Sequence, residues 1–175
     1  MNQPNSTIDL ENNIFSTLTM AYNKLLNGVS GLGKNIASLA EYTTGNGTIN
    51  LPTNFTHLLI IMGGGGGGGG GSDGTAYGSG GGGAGAFVMA IRAKSELTGT
   101  TLNYTVGNGG AGGTAGNPGS AGGSSTITGA GISLTAGGGA GGHRGTSTRD
   151  GGTGAGGTPI TQLARDIGIT GAVGG

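Results

Sequence analysis

Glycine recurs at every third position in two long tracts of this chain, and this spacing constrains the fold more than any other feature. The first series is Gly107, Gly110, Gly113, Gly116, Gly119 and Gly122. The second is Gly139, Gly142, Gly145, Gly151, Gly154 and Gly157, interrupted once by Thr148. A further tract, 63–71, is glycine throughout. A period of three is that of the polyproline II helix, one side of which then carries no Cβ atoms.

Collagen also places glycine at every third residue, but it fits this chain poorly. Four prolines are too few to set φ along the tracts, and apolar segments interrupt them. We therefore predict glycine helices of the polyproline II type that pack side by side and exchange N–H···O=C hydrogen bonds laterally. Flexible loops are the alternative, because an ordered glycine loses more backbone entropy than any other residue.

Short β segments separate the glycine tracts. Segments 55–62 and 86–91 are the most apolar, and we expect them to form the buried sheet face, with Leu102, Tyr104 and Val106 alternating beside them. The fold predicted for 47–175 is mainly β and irregular, with short strands between packed polyglycine II helices. Strands are predicted at 48–51, 55–62, 86–92, 101–106, 124–128 and 132–135.

Residues 1–46 differ from the rest because they show helical periodicity. An apolar stripe ends before Gly28 and predicts a helix over about 7–27, and a weaker stripe predicts a second helix over 31–42. Neither helix can bury its stripe alone, so we expect packing on the downstream domain, on further copies or on another protein. We interpret 1–46 as an α-helical anchor or oligomerisation segment. Its stripe is Ile14, Leu18, Ala21 and Leu25.

The composition argues against nucleic-acid and membrane partners. Seven Lys and Arg balance seven Asp and Glu, so the clustered basic surface that phosphate binding needs is missing. The longest apolar run, 58–62, is far shorter than the roughly 20 residues of a membrane-spanning helix. With no cysteine and no signal-peptide pattern in 1–13, we expect synthesis in the cytoplasm without disulfides. The low apolar content favours a homo-oligomer.

Motifs that carry chemistry are weak or incomplete. Residues 28–35 have P-loop spacing, but Asn35 stands where a Ser or Thr would hold magnesium, so a glycine hinge is the better interpretation. His57 lies in an apolar segment, and His143 has no histidine or cysteine nearby to complete a metal site. No carboxylate pair or nucleophilic triad is evident. We predict no catalytic, metal-binding or cofactor-binding residues, and therefore no enzyme.

Side chains that interrupt the glycine tracts are the candidates for recognition. They concentrate in two clusters, 72–77 and 143–150. If the tracts form a rigid scaffold, these loops project from it, and binding residues concentrate in such loops. Solvated loop tips without a ligand are the alternative. The residues predicted to contact a receptor are Asp73, Tyr77, His143, Arg144, Arg149 and Asp150.

The order of segments in 47–157 is also characteristic. It runs from Gly47-Thr-Ile-Asn-Leu-Pro52 through Ile60-Ile61-Met62, the glycine runs 63–71 and 80–85, and Ala86-Phe-Val-Met-Ala to Tyr104-Thr-Val-Gly-Asn-Gly-Gly110. This order resembles the glycine-rich domain of phage tail-fibre and minor tail proteins. The resemblance implies a virion component that is made in the host cytoplasm and joined to other phage structural proteins through 1–46. Similar tracts in tail-tip adhesins of T-even-like phages form packed polyglycine II helices, and the connecting loops contact the bacterial receptor.

Two other functions are compatible with the sequence. A capsid or tail cement protein would need a binding surface but no receptor contact. An ice-binding protein could use packed glycine helices with a flat, threonine-rich face, although the irregular loops 72–77 and 143–150 argue against one regular plane.

Overall fold

The computed structural model describes residues 40–72, 74, 78–145 and 152–175. These residues are mainly β-sheet, and their helical content is a single 3₁₀ turn, Lys94–Glu96. The strands are β1 (Asn46–Asn50), β2 (His57–Gly63), β3 (Phe87–Ala93), β4 (Thr101–Thr105), β5 (Ser125–Gly129), β6 (Ile132–Ala136), β7 (Pro159–Ile160) and β8 (Ile167–Ile169).

The strands form two antiparallel sheets. One has the order β1-β4-β5-β6-β7, and the other has the order β2-β3-β8. Alternate side chains of both sheets point into one shared core, so the sheets pack face to face. The buried core residues are Ile60, Met62, Val88, Ala90, Leu102, Ile132, Leu134 and Ala136.

The six strands predicted from sequence are all present, with ends within two residues of the predicted ones. The short strands β7 and β8 were not predicted. The expectation that Leu102 lies beside β2 and β3 is wrong, because β4 belongs to the facing sheet. The prediction that segments 55–62 and 86–91 are buried holds only for alternate side chains. Ile60 and Val88 are buried, whereas Ile61 is 53% exposed.

The predicted N-terminal helices lie almost wholly outside the described residues, and so do Ile14, Leu18, Ala21 and Leu25. Where the prediction can be compared, it is wrong: residues 40–45 contain no helix, and β1 begins at Asn46. The Tyr42 ring instead packs on the Tyr104 ring, with centroids 4.1 Å apart. Gly45 then turns the chain into β1 with a φ of 78°.

The glycine tracts form a second part of the fold, which we call the glycine bundle. Its segments are joined by backbone hydrogen bonds that recur at every third residue. For example, the N–H groups of Gly65, Gly68 and Gly71 donate to the carbonyls of Gly123, Ser120 and Asn117, at 2.9, 2.9 and 2.8 Å. No described glycine within the segments has a positive φ. The segments are 64–71, 80–85, 107–113, 119–123, 137–143, 152–157 and 171–175.

Segment 64–71 is one of three segments of the bundle that each hydrogen-bond to four others, together with 80–85 and 137–143. It hydrogen-bonds to segments 80–85, 107–113, 119–123 and 137–143. Six of its glycines have a neighbouring backbone carbonyl so close that a Cβ atom would lie less than 3.0 Å from it. The exceptions are Gly66 and Gly69, where the nearest atom would be 3.8 Å away.

Ser125 joins the sandwich to the bundle. Its side chain is buried at the start of β5. The hydroxyl donates to the carbonyl of Gly63 at 2.6 Å and accepts from the N–H of Gly107 at 3.0 Å. Because Gly63 immediately precedes segment 64–71 and Gly107 is the first residue of 107–113, one side chain fixes where both segments begin.

A buried ion pair holds the C-terminal loop against the sandwich. Arg92 on β3 donates to both carboxylate oxygens of Asp166, at 2.5 and 2.7 Å, and both side chains are almost fully buried. Asp166 also accepts from the backbone N–H groups of Gln162 and Leu163. The hydrogen bonds from Arg92, with those two N–H groups, lower the pKa of Asp166 to about 2.

We predict that Gly67→Ala destabilises the protein and that Gly66→Ala does not. A Cβ at residue 67 would overlap the Ala140 carbonyl, whereas residue 66 has space. Overpacking against backbone should cost about 3 kcal/mol or more, while Gly66→Ala should be neutral or stabilise by about 0.5 kcal/mol through the unfolded chain. Denaturant unfolding of both variants measures the difference. Equal losses of stability would contradict the described packing.

We predict that Asp166→Asn lowers the free energy of unfolding by about 3 kcal/mol, because it leaves the buried Arg92 without its counter-charge. Glu96→Gln, which removes an exposed partner of Arg165, is the control and should have a far smaller effect. The stabilisation from Asp166 should be complete above pH about 4 and lost as the pH falls towards 2, since its pKa is lowered on folding. Thermal unfolding between pH 2 and 7 should show this loss in the wild type and not in Asp166→Asn.

Candidate functional site: the loop end of the bundle

The described residues at the ends of three connections of the bundle lie at the same end, away from the sandwich. Residues 72–79 connect segments 64–71 and 80–85, residues 114–118 connect 107–113 and 119–123, and residues 144–151 connect 137–143 and 152–157. In each pair the segments run antiparallel, as in a hairpin. Since each pair leaves and rejoins the sandwich at one side, the described residues that flank the connections lie at the other. We call this surface the loop end.

Backbone hydrogen bonds show that the three connections are neighbours. Gly71 donates to the carbonyl of Asn117 at 2.8 Å, and Gly116 donates to the carbonyl of Ser72 at 3.3 Å. Gly80 donates to the carbonyl of His143 at 3.0 Å. The clusters 72–77 and 143–150, which are far apart in sequence, therefore begin beside each other.

Residues 114–117 form a tight turn at the loop end. Asn117 donates through its backbone N–H to the carbonyl of Thr114 at 2.9 Å and through its side-chain amide to the Thr114 hydroxyl at 3.0 Å. Gly116 has a φ of 71°, which favours glycine at this position. The turn is thus held in one shape by its own side chains.

Arg144 connects this turn to the third loop. Its guanidinium donates to the carbonyl of Gly116 at 3.0 Å while the side chain stays exposed. His143 is also exposed, and its backbone N–H donates to the carbonyl of Gly152 at 2.9 Å. The loop end therefore presents a guanidinium and an imidazole on a hydrogen-bonded backbone.

Two of the six residues predicted to contact a receptor, His143 and Arg144, lie at the loop end. The other four lie outside the described residues: Asp73, Tyr77, Arg149 and Asp150. The sequence analysis missed the part played by Gly116 as the acceptor for Arg144. The dipeptide Asn117-Pro118 next to Gly116 is a turn signal that could have revealed it.

The sides of the bundle are chemically plain compared with its loop end. The exposed positions of the outer segments carry small or uncharged side chains: Asn108, Ala111, Ser120, Ala121, Thr153, Ala155, Ala172 and Val173. Among the described residues, no group of three His, Asp or Glu could hold a metal ion, and no helix there has the length and apolarity to cross a membrane.

The family-model comparison agrees with this architecture. A model described as a glycine-rich domain matches residues 42–175. The chain belongs to this family. The match covers the sandwich and the whole glycine bundle, so the glycine-rich domain includes β1 and the Tyr42 ring that packs before it. No curated protein matches the chain in sequence.

Proposed function

We propose that the segments of the glycine-rich domain are polyglycine II helices and that the bundle is a rigid support for its loop end. Hydrogen bonds at every third residue and the Cβ-free faces support this assignment. Lateral backbone hydrogen bonds recur along every segment of such a bundle, so it resists bending without an apolar core of its own.

We propose further that the protein is a structural component of a phage virion, at a tail fibre or tail tip, and attaches the particle to a receptor on the host surface. The observation that carries this proposal is the meeting of three connections at one end of a plain, uncharged support. In this proposal Asp73, Tyr77, His143, Arg144, Arg149 and Asp150 contact the receptor, and residues 1–46 join the domain to other virion proteins.

The proposed activity is binding, without catalysis, cofactor or metal. Arg144 would donate to carboxylate, phosphate or hydroxyl oxygens of a receptor, since its guanidinium has five N–H donors and the hydrogen bond to Gly116 uses one of them. The hydrogen-bonded turn at 114–117 would lose little entropy on binding, because it is already ordered.

We predict that Arg144→Ala, combined with His143→Ala, lowers adsorption of particles to host cells by at least about tenfold, the loss expected for removing one anchoring contact. Arg165→Ala is the matched control, because it removes another exposed arginine, from the loop that carries Asp166. Adsorption rate constants measured on intact particles give the comparison. Unchanged adsorption of the double variant would reject the receptor role and favour a cement protein.

Ice binding remains a second candidate because of the five-stranded sheet. Its outward side chains form an uncharged array in which Thr48 and Asn103, paired across β1 and β4, share a hydrogen bond of 3.0 Å. Against it, the twist of a sheet prevents one flat plane. The array consists of Asn46, Thr48, Asn50, Thr101, Asn103, Thr105, Thr126, Thr128, Ser133 and Thr135.

Thermal hysteresis distinguishes the two candidates. For an attachment protein we predict none above that of a non-binding protein of equal size, with no change in Thr128→Lys. Hysteresis that disappears in Thr128→Lys and persists in Arg144→Ala would instead establish ice binding through the sheet.

A further inference from the structure

The outer face of the three-stranded sheet is apolar, unlike that of the five-stranded sheet. Ile61, Met89 and Ile167 form one row across the three strands, and Phe87 pairs with Ile169 in the next. Ile61 and Ile169 are 53% and 57% exposed. The full set is Leu59, Ile61, Phe87, Met89, Ile91, Ile167 and Ile169. We call it the apolar face.

An antiparallel sheet with one open side normally alternates apolar and polar residues, whereas strands covered on both sides are apolar throughout. Strand β2 is of the second kind, because Leu58 to Met62 are all apolar. At strand spacings of about 4.8 Å and about 3.3 Å per residue, the face measures roughly 300 Å² in plan. A contiguous apolar patch of this size is comparable to the largest patch on a typical monomer, and such patches are often functional.

We propose that the apolar face binds the same face of a second copy of this chain. Charge favours this occupant: Glu96 and Arg165, which line the groove beside the face, already pair with each other, so two copies meet without repulsion between like charges. Apart from His57 at its start, β2 carries no ionisable residue and no proline to protect its face or its edge. An uncharged, apolar surface is complementary to itself.

Area and symmetry also fit a dimer. The exposed parts of these side chains and their rim amount to roughly 500 Å² per copy, so a pair would bury about 1,000 Å², near the lower limit for a specific interface. A two-fold axis parallel to β3 would place the Met89 side chains of the two copies opposite each other. Both bundles would then point in the same direction, since the axis is parallel to the strands.

Sedimentation velocity of the full chain over a range of concentrations tests the proposal. Ile61→Lys should raise the dimer dissociation constant by at least about 30-fold, the effect of losing a central contact. Ile160→Lys is the matched control, because Ile160 is 61% exposed on β7 of the other sheet. Dimers that are unaffected by Ile61→Lys, or a wild type that stays monomeric at all concentrations, would overturn the proposal.

Cross-linking tests the symmetry directly, because the chain has no cysteine. Met89→Cys should give a covalent dimer with a bis-maleimide that spans about 10 Å, the separation of packed sheets. Ile160→Cys should not. Equal cross-linking of the two variants would overturn the assigned face. The result is independent of the receptor role, since Arg144→Ala changes the loop end and should leave the dimer intact.

Discussion

The close approach of backbones in the glycine bundle is the constraint on which the rest of the structure depends. Segment 64–71 has carbonyl groups of neighbouring segments where most of its Cβ atoms would be, so no other residue fits there without moving a backbone. The same approach brings N–H and C=O groups within hydrogen-bonding distance at every third residue. Glycine loses the most entropy on ordering, and these lateral bonds, made by nearly all inward groups, offset that loss where hydrophobic burial cannot.

The small sandwich is needed because a bundle of this kind does not set its own register. Pairs of strands continue into pairs of bundle segments. For example, β2 leads into 64–71, and 80–85 leads back into β3. At Gly63 and Ala86 the repeat of the backbone hydrogen bonds changes from two residues to three. Ser125 holds this transition, since its hydroxyl bonds to Gly63 and to Gly107. The ion pair of Arg92 and Asp166 holds the C-terminal loop on β3 of the sandwich.

The sequence predicted the strands and the positions that require glycine, because both depend on local spacing. Gly107, Gly110 and Gly113, found from their period alone, are the residues of that segment whose Cβ would overlap a neighbour, whereas Gly109 and Gly112 are not. What could not be predicted depends on contacts distant in sequence. Arg92 and Asp166 are 74 residues apart and neither stands out locally. The division of β2 and β4 between two sheets likewise depends on topology. So do the hydrogen bonds of Gly116 to Ser72 and of Arg144 to Gly116.

The residue types found between the required glycines depend on how many neighbouring segments surround each segment of the bundle. Central segments are approached from most sides: in 137–143 only Ala140 and His143 carry side chains, and the intervening glycines all lack space for a Cβ. Segment 107–113 lies at the edge, and there Asn108 and Ala111 are tolerated because only every third residue faces a neighbour. Two of every three residues in 137–143 therefore face a neighbouring backbone, whereas only one of every three does so in 107–113. By the same rule, Gly66 and Gly69 are the positions in 64–71 at which evolution or design can add side chains without disturbing the support beneath the loop end.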